Sequence, residues 1–212
     1  MHDFPKLVFD LSPETLDWDK VGGLLPVIVQ HWRDGRVLML GYMNREALGV
    51  TLESGKVTFF SRSKQRLWTK GESSGHVLIA RSIHIDCDRD TLLVHAEPHG
   101  PTCHLGSETC FGAVADPDIT FLPQLDTLVE QRQRERPANH YTTALFESGV
   151  RRIAQKVGEE GVETALAAVA QDDSALIGEA ADLLYHLLVL LRSRGLGLVE
   201  LVGRLRERHT AD

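Results

Sequence analysis

The chain has 212 residues, of which 42% are hydrophobic and 25% charged, with a formal net charge of −7 and a pI near 5.8. That balance is ordinary for a soluble globular protein and leaves room for one large domain or two small ones. It excludes a role in coating nucleic acid, because no basic stripe is present to neutralise phosphates. No apolar run is expected to reach the length that crosses a bilayer, and the opening MHDFPKLVFD lacks the basic-then-apolar plan of a signal peptide. The expected compartment is the cytoplasm, with no membrane partner.

In chain order, Pro13 and Glu14 with Leu16 and Trp18 suggest a short helical turn. Residues 24–29 and 37–40 alternate as strands around the turn signal Asp34-Gly35, which predicts a hairpin. A short helix is expected from Glu46 to Ser54 and a strand over 57–60. Residues 61–75, SRSKQRLWTKGESSG, are read as a polar, basic loop. In it Arg62, Lys64, Arg66 and Lys70 could pair with phosphate and Trp68 could stack on a base, while Ser73 and Ser74 offer hydroxyl donors. A solvated loop is the commoner outcome for such composition.

A strand over 76–80 then leads into residues 86–111, which hold all three cysteines, Cys87, Cys103 and Cys110, together with Asp86, Asp88 and Asp90. Thiolates suit zinc and clustered carboxylates suit magnesium. If the strand continues through this stretch, its period of two places the aspartates on one side and Cys87 on the other. Three cysteines leave the fourth zinc position to water, a histidine or substrate, and His104, His84, His95 and His99 lie nearby in sequence. Disulfides are disfavoured by the odd count. An EF-hand is disfavoured by Thr91, which stands where the loop needs glycine. The pattern dissolves over 112–123, so a boundary is placed between an N-terminal domain, 1–115, and a C-terminal domain, 116–212.

Beyond it no strand is expected. Helical spacing runs through Leu122, Leu125, Leu128 and Val129, then over 144–171, over 174–194, and in a shorter helix ending near Arg208. Glu160 and Glu163 share one face of the first long helix, and Glu179 and Asp182 share one face of the second. If the helices fold back at 172–174, four carboxylates meet inside apolar stripes, with Glu159 close by, and each is pushed toward protonation unless a cation sits among them. Magnesium is the expected cation, with Arg151, Arg152 and Lys156 available for remaining negative charge. The fold class is therefore α+β, mainly antiparallel strands with short helices, followed by an all-α domain.

The segments LWTKGESSG, DCDRDTLLV and GPTCHLGSETCF closely resemble phosphoribosyl-AMP cyclohydrolase, and EEGVET with GEAADLLYHLLVLL resembles phosphoribosyl-ATP pyrophosphatase. The tandem is similar to the bifunctional enzymes of histidine biosynthesis. The resemblance implies that the C-terminal domain cleaves phosphoribosyl-ATP to phosphoribosyl-AMP and pyrophosphate, and that the N-terminal domain opens the adenine ring between N1 and C6. It implies zinc on Cys87, Cys103 and Cys110, shared across a homodimer, and magnesium on Asp86, Asp88 and Asp90. Magnesium is expected also on Glu160, Glu163, Glu179 and Asp182, one carboxylate, Glu163, orienting water. His104 is the first candidate for general base in ring opening and His84 the second. Arg62, Trp68, Lys70, Glu72, Ser73, Ser74, Arg152, Lys156 and Glu159 are expected to contact substrate. Leu105 and Ser73 stand where the cyclohydrolase pattern usually has threonine. The competing reading is a zinc-stabilised nucleotide-binding module with a helical dimerisation domain.

Overall fold

The computed structural model describes residues 11–112 and 117–209. The reading of the first ten residues and the expected boundary between 115 and 116 lie outside them. The chain divides into two compact units, Met1–Thr120 and Phe121–Asp212.

In the first unit, β1 (Leu25–His31) and β2 (Val37–Met43) form the expected antiparallel hairpin, with a register shift at Val29/Gln30. Asn44 caps α1 (Arg45–Ser54) by accepting from the Ala47 N–H at 2.8 Å, and Gly55 closes it in the left-handed region at φ 71°. β3 (Thr58–Ser61) and β4 (Arg66–Thr69) make a second hairpin, and β5 (Leu78–Ile85) pairs antiparallel with β6 (Leu92–Pro98). The main sheet has the order β2-β1-β6-β5, in which β6 runs parallel to β1. Alternation drives this assembly: Leu25, Val27, Val29, Leu92, Val94 and Ala96 are fully buried on one face against Leu38, Met43, Leu48 and Phe59. A side chain at Gly41 would overlap the Phe59 ring, so β2 must carry glycine there for that ring to pack.

The second unit is all helical: α2 (Phe121–Glu135), α3 (Tyr141–Ser148), α4 (Val150–Ala170), α5 (Asp173–Ser193) and α6 (Leu198–His209). The Asp172 side chain caps α5 by accepting from the Ala175 N–H at 2.9 Å, which ends the turn that folds α5 back on α4. Val129, Leu145, Phe146, Ile153 and Val189 form the core. Buried Asp126 accepts from Arg192 Nε at 2.8 Å and Nη2 at 2.5 Å and from the Leu198 N–H at 3.1 Å, tying α2, α5 and the start of α6 together.

Four expectations are corrected. The polar stretch 61–75 is not all loop, because Phe59-Phe60 and Leu67-Trp68 give it a partner strand, β4. The strand does not run through the aspartates: β5 ends at Ile85 and residues 86–91 form a turn with Arg89 at φ 64°. The helix expected over 144–171 is two helices, since Gly149 at φ 82° and ψ 165° breaks it. Finally, α5 is long and apolar enough to cross a membrane by length and composition alone, although Glu179 and Asp182 interrupt its middle.

Candidate active sites

The first site is built on two loops and the β3–β4 hairpin. Trp68 and Lys70 leave β4 and, with Gly71, Glu72, Ser73, Ser74 and His76, face Pro101, Cys103, His104 and Gly106 around a pocket of about 330 Å³. Gly71, at φ 87°, is required: a Cβ there would sit 2.5 Å from the His76 carbonyl carbon and oxygen. Gly100, at φ 112°, gives the His76 ring its place on the other side.

Cys103 lines this pocket, and Cys110 is brought up against it. The backbone N–H of Leu105 lowers the Cys103 thiol first, then the Ser107 side chain, with Cys110 and the Lys70 ammonium helping further. Cys110 is exposed as a residue, yet the protein packed round its sulfur and the neighbouring Cys103 push it up. Lys70 is buried, which lowers its pKa, while the two sulfurs act in the opposite sense; its ammonium donates to the His76 carbonyl at 3.4 Å. His104 Nδ1 lies 4.0 Å from the Cys103 sulfur.

Cys87 is elsewhere. It sits exposed on the β5–β6 turn, and among the described residues the three cysteines do not form one ligand cluster. The turn gathers Asp86, Asp88 and Asp90, whose carboxylate oxygens lie within 4.8 Å of one another. Asp86 Oδ1 accepts from the N–H groups of Asp90 and Thr91 at 3.0 Å each, so a local backbone loop, not strand alternation, collects the acids. The ammonium of Lys20 bridges Asp88 and Asp90, 2.5 Å from the latter. No sequence signal placed Lys20 there.

The remaining first-unit candidates are dispersed. His84, on β5, hydrogen-bonds Ser82 at 3.0 Å, and Ser82 bonds His95 at 2.9 Å; His84 is not among the residues lining the Trp68–His104 pocket. Arg62 lies over the Tyr42 ring at 3.8 Å and borders a second pocket of about 320 Å³, of which Trp68 is the shared wall. Glu72 pairs with Arg66 at 2.6 Å, and Ser74 Oγ accepts from the His76 N–H at 3.3 Å.

The second site lies between α4 and α5. Carboxylate oxygens of Glu160, Glu179 and Asp182 approach within 4.8 Å of one another. Glu163 stands beside them, raised first by desolvation and then by the charges of Glu160 and Glu179. Glu160 is buried and is lowered chiefly by Lys156, whose ammonium lies 2.6 Å from Oε1 and 3.1 Å from Glu159. Arg152 holds Glu159 at 3.2 Å. His186, four residues after Asp182 in the apolar run LLYHLLVLL, was not singled out from sequence; it is buried, with Nδ1 3.6 Å from Glu160 Oε1. Its i,i+4 relation to Asp182 was the available signal.

Comparison with known proteins decides the family. The phosphoribosyl-AMP cyclohydrolase family matches residues 39–112, and the phosphoribosyl-ATP pyrophosphohydrolase family matches residues 122–209. The chain belongs to the bifunctional cyclohydrolase–pyrophosphohydrolase family of histidine biosynthesis. The histidine biosynthesis bifunctional protein HisIE of Xanthomonas axonopodis pv. citri is 68% identical over 195 residues, 92% of this chain and 93% of its own. The protein of that name from Escherichia coli is 61% identical over 194 residues, 92% and 95% of the two chains. That from Vibrio cholerae is 54% identical over 207 residues, 97% and 99%. As a member of this family the chain carries two hydrolases of a metal-dependent class. The helical region cleaves phosphoribosyl-ATP to phosphoribosyl-AMP and pyrophosphate, and the N-terminal region opens the adenine ring of the product. The binding-module reading is set aside.

Proposed function

We propose that ring opening takes place in the Trp68–His104 pocket with zinc on Cys103, Cys110 and the Cys87 of a second copy. The observation that carries this reading is the split of the cysteines: two sulfurs paired beside buried Lys70, and a third exposed on the β5–β6 turn and, among the described residues, outside any ligand cluster with them. The donor set suits zinc because it consists of thiols, of which Cys103 is lowered by its hydrogen bonds and Cys110 is raised by burial. Zinc bound there supplies a water acidified to a pKa of ~7. Trp68 stacks on the adenine, and Lys70 stabilises negative charge developing on the oxygen that adds to C6. Because the Nδ1 side of His104 faces Cys103, its Nε2 is the nitrogen that takes the water proton and delivers it to N1 as the N1–C6 bond breaks. His84, off the pocket, has no part in this step. Arg62, Glu72, Ser73 and Ser74 hold the two phosphoribosyl arms, and magnesium on Asp86, Asp88 and Asp90 neutralises phosphate, displacing Lys20.

In the helical unit, Glu160, Glu179 and Asp182 supply the oxygen donors that magnesium prefers, and magnesium bound there neutralises the triphosphate. Glu163, raised by desolvation and by the charges of Glu160 and Glu179, accepts the proton of the attacking water. Arg152, Lys156 and Glu159 form the polar rim at the phosphates. The protein is a cytoplasmic homodimer with domains 1–115 and 116–212. Supporting the dimer, Val162, Leu166 and Val169 on α4 and Ile177 on α5 are exposed apolar side chains that a second copy would cover.

The test supplies phosphoribosyl-ATP to metal-replete protein and follows pyrophosphate release and the ultraviolet change of ring opening together, with and without a zinc chelator. Ring opening should stop on chelation while pyrophosphate release continues. Loss of both or of neither would overturn the assignment of zinc to the N-terminal site.

A further inference from the structure

The helical site has a second layer that the two reactions do not by themselves require. His186 is 4% exposed, and both its nitrogens are engaged within the protein: Nδ1 with the Asp182 carbonyl at 2.8 Å, and Nε2 with the Tyr141 hydroxyl at 3.0 Å. Its ring is held edge-on between Tyr141, centroids 6.0 Å apart at 84°, and Tyr185, 5.3 Å apart at 74°. Those tyrosines are anchored in turn. Tyr185 bonds the fully buried Thr142 hydroxyl at 2.7 Å, and Thr142 accepts from Arg132 of α2 at 3.1 Å. The imidazole is therefore fixed against rotation by Tyr141 of α3 and by Asp182 and Tyr185 of its own helix, with Arg132 of α2 supporting it through Thr142.

Such a ring has no free nitrogen for a metal or a substrate. The Asp182 carbonyl can only accept, so Nδ1 carries the proton and Nε2 receives the Tyr141 O–H. With its proton given to the Asp182 carbonyl, Nδ1 lies 3.6 Å from Glu160 Oε1, so the edge of the seated ring packs against that carboxylate. Glu160 is itself buried, and the cation touching it, Lys156, is on a flexible stem. We propose that His186, seated by Tyr141, is a positioning residue of the pyrophosphohydrolase site: it fixes the Glu160 carboxylate in the orientation that lets it share a divalent cation with Glu179 and Asp182. The inference rests on the metal reading of these carboxylates given above.

The test measures Mn²⁺ affinity by electron paramagnetic resonance on the full chain, in a background of Asp88→Asn and Asp90→Asn that silences the other acidic cluster. The metal reading is tested first: Glu179→Gln should weaken the remaining Mn²⁺ site, and unchanged binding would sink that reading independently of His186. His186→Ala should then weaken the same site by about 10- to 100-fold. An asparagine amide can take the place of Nδ1–H, whereas a glutamine amide reaches the place of Nε2. His186→Asn should therefore recover affinity to within a few-fold of the parent, and His186→Gln should not. Tyr141→Phe, which keeps the ring and removes only the hydroxyl, should weaken Mn²⁺ by a smaller factor and serves should His186→Ala not fold. Ring opening of phosphoribosyl-AMP, measured in the chain that keeps its aspartates, should be unaffected by His186→Ala. Parent-like Mn²⁺ affinity in His186→Ala, or in Tyr141→Phe if that is the variant that folds, would overturn the proposal. So would equal recovery by asparagine and glutamine.

Discussion

The two units gather carboxylates by opposite means. In the N-terminal unit Asp86, Asp88 and Asp90 lie within five consecutive residues, and one turn, closed by two N–H bonds to Asp86, brings them together. In the helical unit Glu160 is drawn to Glu179 and Asp182 only because α5 folds back on α4. Both clusters carry a lysine, Lys20 on the turn and Lys156 on the helix, but the surroundings differ. Asp88 and Lys20 are solvent-exposed, where an ion pair contributes little. Glu160 is buried, where an unpaired charge is costly, and the fold surrounds it with a lysine and a caged histidine. A cluster made by a turn tolerates change around it, whereas one made between helices depends on everything that holds the helices.

The sharpest break of this comparison separates the chemistries. Cys103→Ser should reduce ring opening to the limit of detection while pyrophosphate release stays within about twofold, since the two lie in different units. Glu163→Gln should do the reverse, lowering pyrophosphate release by about 10²- to 10⁴-fold, the usual worth of a general base. A shared loss in either variant would show that the units are not chemically independent.

Stability should divide the same way. Asp126→Ala takes from the half-buried Arg192 guanidinium its closest carboxylate and frees the Leu198 N–H, and should cost about 3–5 kcal/mol in the helical unit. Urea unfolding followed by separate probes, tryptophan for the first unit and far-ultraviolet dichroism for the second, checks whether only the helices melt early. All three tryptophans, Trp18, Trp32 and Trp68, lie in the first unit, which makes the probes separable.

Within the first unit, Gly71→Ala should raise KM for phosphoribosyl-AMP by roughly tenfold or more, because the new methyl meets the His76 carbonyl and displaces one wall of the pocket. Pyrophosphate release in the same variant is the control.

The smallest effect appears only in acid. Burial pushes the Asp34 carboxyl up, but hydrogen bonds from His31 and Arg36 outweigh it and bring the group from 3.8 down to about 2. A carboxyl depressed in the folded state stabilises above its unfolded value, so this contribution is complete above pH 3.8 and is lost as pH falls through about 2. It amounts to about 2 kcal/mol, and Asp34→Asn should abolish that part of the acid dependence of the first unit's unfolding midpoint.

Much of this was legible in the residues. The β1–β2 hairpin followed from alternation around Asp34-Gly35, and the fold-back of α5 from the polar stretch 172–174, where the structure has the turn capped by Asp172. The aspartate cluster was legible as a cluster but not as a turn, because period-two spacing of acids is the same on a strand and in a loop that points them inward. β4 was hidden by its polar flanks, since the only apolar signal in 61–75 was Leu67-Trp68, and a strand so short is recognised by its partner. Gly149 carried the helix break, yet a single glycine in a helical pattern is usually tolerated, and only its φ of 82° separates the two cases.

The sequence by itself determined which chemistry is available: thiols, carboxylates and a basic aromatic loop, in the order and spacing that mark two hydrolases. These are properties of residue types and of near neighbours along the chain. Tertiary structure alone decided that Cys103 and Cys110 come together near Lys70 while Cys87 does not, that Lys20 lies on the aspartates, and that His186 and Tyr141 stand behind Glu160. Each of those contacts joins residues far apart in sequence or on different elements, and their distances are set by how the sheet and the helices pack, which no local pattern encodes.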